Sequence, residues 1–207
     1  MIDGLLKNSS TEPKDIGLVA VSNGPGSFTG LRIGIATAMG FALSAGIDCV
    51  GVSSLEAAAY GAAHMGVLTE GVLICAVMDA RREQVYNALF RAENGELTRL
   101  SEDRAIAISE LEEEISGKGA IVVGDGAELC YNIGKPLKTI MYPTGYGVAM
   151  AAIAGHTRPA GEPIYLRLPQ AEREKRERAA AASRRSNGRP MAAPTGVNYD
   201  PPCRGDY

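Results

Sequence analysis

S-N-G-P-G-S-F-T-G-L-R-I-G-I-A-T-A-M-G-F-A-L-S-A-G, residues Ser22 to Gly46, is the stretch whose reading decides the fold. The apolar run Ile16 to Val21 before it reads as a strand, the glycine-rich segment as a loop, and the remainder as a long helix. Gly24, Gly26 and Gly30 allow the backbone to turn where a Cβ would clash, and Pro25 fixes one φ between them. Ser27 or Thr29 is placed to cap the helix start, and Gly46 to end it. Arg32 is the single charge, and Ile33 to Ile47 are all uncharged. A helix that is apolar almost all round is expected to be buried on more than one side. Leu31, Ile35, Met39 and Leu43 form a bulky ridge along it. Gly34, Ala38 and Ala42 form a small-residue groove that permits close approach of another helix.

A strand, a glycine loop and a helix can together cradle a phosphate. The spacing here is neither G-x-x-x-x-G-K-[ST] nor G-x-G-x-x-G, and no lysine follows the loop to meet a phosphate. A tight turn into a packing helix is the competing reading.

Outward from this stretch, the first half reads α-β-α-β-α. Met1 to Lys7 looks like the last turns of a helix, and Asn8 to Asp15 is a loop. Cys49 to Val52 is a short strand. Ser53 and Glu56 have capping-box spacing before an alanine-rich helix that runs to about Ala63. In the second half, Val72 to Met78 and Gln84 to Phe90 are strands around the charged turn Asp79 to Glu83. Glu93-Asn94-Gly95 signals a hairpin, and a third strand is expected within Leu97 to Ile106. Ser109 and Glu112 again have capping-box spacing, before a helix to Ile115. Ala120 to Val123 is a strand ending in Gly124-Asp125-Gly126, and a helical stretch follows near Gly145 to Ala154.

The halves look like one unit, β-β-β-α-β-α-β-α, cut at two phases. That duplicated α/β plan is the actin-like and sugar-kinase-like ATPase fold, with the first copy lacking its opening strands. The expected division is a truncated first actin-like subdomain over 1–68 and a second over 69–170. Over 171–207 a charged helix and a disordered tail are expected. In that last part Glu172, Glu174 and Glu177 interleave with Arg173, Lys175, Arg176 and Arg178, as on a solvated helix. Proline and glycine then recur without apolar periodicity.

Composition sets limits on function. The chain has 207 residues, 45% of them hydrophobic, with 25 glycines and no tryptophan, so it can bury a core of closely packed helices. A net charge of -3 gives no strong pull on nucleic acid. Cys49, Cys75, Cys130 and Cys203 have no C-x-x-C spacing, and the first three read as reduced core thiols. Ile33 to Ile47 is short, and rich in glycine and alanine, for a membrane span.

Candidate chemistry is sparse. His64 and His156 belong to no metal-ligand pair, and no metal site is expected. Ser22, Ser27 and Thr29 have no histidine near them in sequence, and G-x-S-x-G is absent around Ser27. Asp79, after a strand and before A-R-R-E, either orients a phosphate or metal or pins its hairpin by pairing with Arg81.

The string G-P-G-S-F-T-G-L-R-I-G, Gly24 to Gly34, resembles the signature of the TsaB family of bacterial tRNA-modification proteins. The resemblance continues in G-V-S-S-L-E (Gly51 to Glu56), V-M-D-A-R-R-E-Q-V-Y (Val77 to Tyr86) and P-I-Y-L-R (Pro163 to Arg167). It covers Met1 to about Glu177 in the family's order. Met1 to Leu6 matches the end of the family's first helix, which implies a chain truncated at its N-terminus and a strand Ile16 to Val21 without its sheet neighbours.

The resemblance implies a cytoplasmic, non-catalytic scaffold. It would pair with TsaD, the paralogue that transfers threonylcarbamoyl to the adenosine beside the anticodon of ANN-reading tRNAs. TsaE would join a larger complex, tRNA would be met indirectly, and a homodimer is the other expected pairing. No cofactor is expected, and nucleotide would bind only in the assembled complex. The family pairs through its first two helices, which puts Phe28, Arg32, Ile35, Ala36 and Met39 on the partner surface. The alternatives are a nucleotide-dependent ATPase or kinase of the actin-like class, a peptidase, and a fragment without function.

Overall fold

The computed structural model describes residues 2–64, 69–94, 96–130, 132–136 and 142–167. The expected charged helix and tail over 171–207 therefore lie outside the described residues, as does Cys203.

Helix α1 (Ile2–Asn8) buries none of its residues. Strand β1 (Leu18–Gly24), helix α2 (Phe28–Ala45) and strand β2 (Asp48–Ser53) make a βαβ unit. The strands pair in parallel from Leu18 opposite Asp48 to Gly24 opposite Ser53. Parallel neighbours need a crossover, and α2 supplies it. Gly24, at φ 116°, turns the chain out of β1, and Gly46, at φ 68°, ends α2 in the left-handed conformation.

Helix α3 (Ser54–Ala62) follows β2 directly. The Ser53 hydroxyl oxygen accepts the Glu56 N–H at 3.3 Å, as the spacing predicts. The other half of the expected capping box is not made. The Glu56 carboxylate turns instead to the Arg99 guanidinium, 3.0 Å away, because a charged donor outbids a backbone N–H. The small side chains of α3 let it pack on both sides. Leu55, Ala58, Ala59 and Ala62 meet Ile74, Ala76 and Phe90, while Ala57 meets Val52 and Val148.

The second sheet contains β3 (Leu73–Asp79), β4 (Gln84–Glu93), β5 (Glu96–Arg99), β6 (Arg104–Ala107), β7 (Ile121–Val123) and β8 (Lys135–Pro136), in the order β5-β4-β3-β7-β8, with β6 also on β4. β3 and β4 are an antiparallel hairpin, and β7 runs parallel to β3. The third strand expected within Leu97 to Ile106 is two strands on successive stretches of β4. At the break, the Leu89 N–H donates to the Ser101 hydroxyl at 2.9 Å rather than to a strand carbonyl.

Side chains alternate along β3. Ile74 and Ala76 face α3, while Leu73, Cys75 and Val77 face α4 (Ile108–Ile115) through Leu111 and Ile115. α4 starts without the capping box expected at Ser109. Its N-cap is Ala107, and the Ile108 N–H donates to the Glu83 carbonyl.

Helix α5 (Gly145–Ile153) is capped by Thr144, and β9 (Arg158–Pro159) adds antiparallel to β2. The first sheet thus has the order β1-β2-β9, and among the described residues β1 is one of its two edges.

One expectation about α2 fails. Only Leu31, Ile35 and Ala42 of its 18 residues are buried, so the helix is covered on one side and not on several. It rests on the strands that it connects, and most of its outer face stays exposed. By length and composition alone the whole helix is long and apolar enough to cross a membrane, which the shorter run Ile33 to Ile47 did not suggest. In this fold it is a sheet crossover.

Candidate functional site

The start of α2 is a built surface. Ser27 accepts the Gly30 N–H through its side chain at 3.4 Å. One turn on, the Arg32 guanidinium lies 4.2 Å from the centre of the Phe28 ring, and its Nε donates to the Tyr165 hydroxyl at 3.3 Å. The Phe28 and Tyr165 rings are 5.2 Å apart. An arginine stacked among aromatic rings keeps a fixed shape without being buried.

The rest of the outer face follows at helical spacing. Arg32, Ala36, Met39, Gly40 and Leu43 are exposed, Leu43 by 84%. Ile33, 63% exposed, widens the strip. A Cβ added at Gly34 or Gly40 would meet nothing within 4 Å, so open space flanks the strip.

Of the residues predicted for the partner surface, Arg32, Ala36 and Met39 are exposed and Phe28 is half-buried. Ile35, 7% exposed, faces the core instead, because it sits with Leu31 and Ala42 on the side turned to the sheet. Sequence reasoning left out Ile33 and Tyr165. A helix apolar all round gives no pattern that separates its faces. Tyr165 lies far along the chain, marked only by the P-I-Y-L-R motif.

The hairpin after β3 is the other candidate. Asp79 accepts the Arg81 N–H at 2.6 Å, and its second oxygen is 3.6 Å from the Arg81 guanidinium. The Asp79 N–H donates to the Asp125 carboxylate at 3.1 Å. Arg167, of the P-I-Y-L-R motif, donates to the carbonyls of Ala80 and Arg81. Arg81, Arg82 and Glu83 all have positive φ, and these bonds hold that unusual turn. Burial raises the Asp125 pKa above the ordinary carboxylate value, and the charge of Asp79 adds to it. Asp79 and Arg81 therefore pin the hairpin, with Arg167 as a third fastening.

The other singled-out residues are dispersed. Ser22 shares a 2.6 Å hydrogen bond with Ser54. The His64 ring packs tilted against that of Tyr146, and His156 Nδ1 is 3.0 Å from Glu56. Cys49, Cys75 and Cys130 are free thiols. Burial pushes the Cys130 thiol up to about 11. It also raises those of Cys75 and Cys49. Among the described residues no group of three or more His, Cys, Asp or Glu is placed to hold a metal ion.

A buried charge cluster was not foreseen. Arg99 joins Glu56 at 3.0 Å and Asp103 at 2.8 Å, its own side chain 15% exposed. His156 and Arg158 complete the ring around the two acids. It links α3, β5, the loop before β6 and the approach to β9.

The geometry has counterparts among known proteins. A family model described as TsaD, tRNA N6-adenosine threonylcarbamoyltransferase, matches residues 1–174. The tRNA threonylcarbamoyladenosine biosynthesis protein TsaB of Bacillus subtilis is 31% identical over 185 residues, covering 83% of this chain and 78% of the relative. The protein of the same name from Escherichia coli is 34% identical over 139 residues, covering 65% of this chain and 58% of that one. The solved structure of YeaZ from Pseudomonas aeruginosa superposes with a TM-score of 0.67 at 21% identity, covering 80% of this chain and 81% of that one. A second solved structure from that organism, an uncharacterized protein with similarity to peptidase YEAZ, gives 0.66 at 22%.

Proposed function

Because the chain belongs to the TsaB family and has its actin-like α/β fold, we propose that it is a non-catalytic scaffold that pairs with TsaD, in the cytoplasm, for threonylcarbamoyl transfer to tRNA. The coarser role, in threonylcarbamoyladenosine modification of tRNA, rests on the relatives themselves.

The observation that carries the finer role is the outer face of α2. An apolar strip of Ile33, Ala36, Met39 and Leu43, headed by the Phe28–Arg32–Tyr165 cluster, stands in water. Arginine and aromatic anchors beside an apolar strip are what a protein interface uses. A charge at its centre is expected to weaken binding to TsaD by about 30-fold, the equivalent of about 2 kcal/mol. Titration calorimetry of Met39→Glu against TsaD measures this. The melting temperature should stay close to that of the parent, since Met39 is 43% exposed. Glu113→Lys, on the exposed side of α4, should bind normally. Undiminished affinity in Met39→Glu would place the interface elsewhere.

The non-catalytic part has its own support. The Asp79 carboxylate is occupied by Arg81, and its N–H by Asp125. The purified chain is expected to release no phosphate from ATP above background in a coupled assay. Steady turnover that disappears in Asp79→Asn would make the actin-like ATPase reading the better one.

A further inference from the structure

A pocket of about 160 Å³ opens between α3, β5 and α5, away from the α2 face. It is lined by Tyr60, His64, Glu96, Leu97, Tyr146 and Met150. The His64 and Tyr146 rings lie with their centres 3.9 Å apart, tilted by 38°, and the Tyr60 ring is held 5.7 Å from that of His156. Aromatic side chains thus come from both helices, while Leu97 closes the floor, 4% exposed.

The wall from β5 carries the charge. Glu96 pairs across the strands with Glu93, so two acids stand opposite each other. Like charges in that position are unfavourable unless a cation relieves them. Glu93 is 3.8 Å from Arg91, whereas among the described residues Glu96 has no basic partner. Among the described residues no lysine or arginine lines the pocket. Burial first, and then the negative charges of Glu56 and Glu96, push the Tyr60 phenol up to about 12.

We propose that this pocket binds an organic ammonium head, a primary or methylated alkylammonium, against the faces of its aromatic rings and the Glu96 carboxylate. Ring faces are electronegative and attract cations, and the attraction grows when the site is partly desolvated. The size agrees, since a cavity of about 150 Å³ accommodates a ligand as large as benzene. An anion would meet the Glu96 carboxylate with no lysine or arginine among the described lining residues to offset it. A neutral ligand of the same size would gain nothing from the Glu96 carboxylate. The proposal is independent of pairing with TsaD.

The test is an NMR titration of the whole chain at constant ionic strength. Choline chloride is compared with its neutral isostere 3,3-dimethylbutan-1-ol, and butylammonium chloride with butan-1-ol. Saturable shifts are expected at the amides of Ala63, His64, Leu97 and Tyr146, with each cation binding about 3–5-fold tighter than its isostere. Glu96→Gln should remove that preference. Tyr146→Leu, which keeps the apolar volume and loses the ring face, should weaken the cations and spare the alcohols. Glu96 is exposed and Tyr146 is 43% exposed, so both variants should keep the parent's spectrum elsewhere. Equal affinity for cation and isostere would reduce the pocket to an apolar cleft and overturn the proposal. So would the absence of saturable shifts, or an unchanged preference in Glu96→Gln.

Discussion

Arg99→Met is expected to destabilise the folded chain by about 3–5 kcal/mol, because it takes from two buried carboxylates the cation they share and leaves only His156 beside Glu56 and the more distant Arg158 beside Asp103. The Glu56 and Asp103 side chains are 4% and 3% exposed, and Arg99 lies between them. Its guanidinium also covers the Phe90 ring at 4.8 Å, so the new side chain replaces packing but not charge. For a domain of this size the melting temperature should fall by roughly 6–20 °C. Thermal unfolding followed by circular dichroism reads the change. Arg91→Met is the control. Arg91 is half-exposed and 3.8 Å from Glu93, and such a surface pair contributes about 0–1 kcal/mol. In the triple variant that also carries Glu56→Gln and Asp103→Asn, much of the loss should return, since the uncompensated charges are then gone. Equal melting temperatures for Arg99→Met and Arg91→Met would show that the cluster does not support the fold.

Gly147→Ala should cost about 3 kcal/mol, the upper end of what an overpacked core tolerates. Gly147 is buried where α5 crosses α3. A Cβ there would overlap the Ala57 carbonyl and lie 3.1 Å from the Gly61 nitrogen. Both are helix backbone, which has no rotamer to yield. Gly145→Ala, two residues earlier, should do the opposite. A Cβ at Gly145 meets nothing within 4 Å, and the exchange should stabilise by about 0.4–1 kcal/mol through the unfolded chain. Chemical denaturation of the two variants checks the opposed signs. A neutral Gly147→Ala would mean that the two helices can move apart without loss.

What the sequence made legible was local. The order of elements followed from alternation, from glycine and from cap spacing, and the ends of α2 were placed by Ser27 and Gly46. The breaks came where a side chain found a distant partner. Glu56 carried the local mark of a capping box, yet its carboxylate serves Arg99, and no spacing announces that. Ser101 splits one expected strand into two by taking the Leu89 N–H. The outer face of α2 could not be told from its inner face, since Ile33 and Ile35 look alike in sequence and differ only in what covers them. Of the residues expected on the partner surface, Ile35 therefore turned inward while Arg32, Ala36 and Met39 stayed exposed. The pocket beside Glu96 was invisible for the same reason, being assembled from α3, β5 and α5.

The packing of α3 on both sides has a mechanical meaning. Its leucine and alanines bind the second sheet, and Ala57 with α5 binds the first. The Glu56 carboxylate fastens the same helix to β5 and to the approach to β9. A hinge needs a seam across which few contacts run, and α3 occupies the place where such a seam would lie. Separating the sheets would strip this helix from one of them and expose its alanines to water. The described part of the molecule is therefore built as one braced frame rather than as jaws. Any surface that it presents has its shape set before contact.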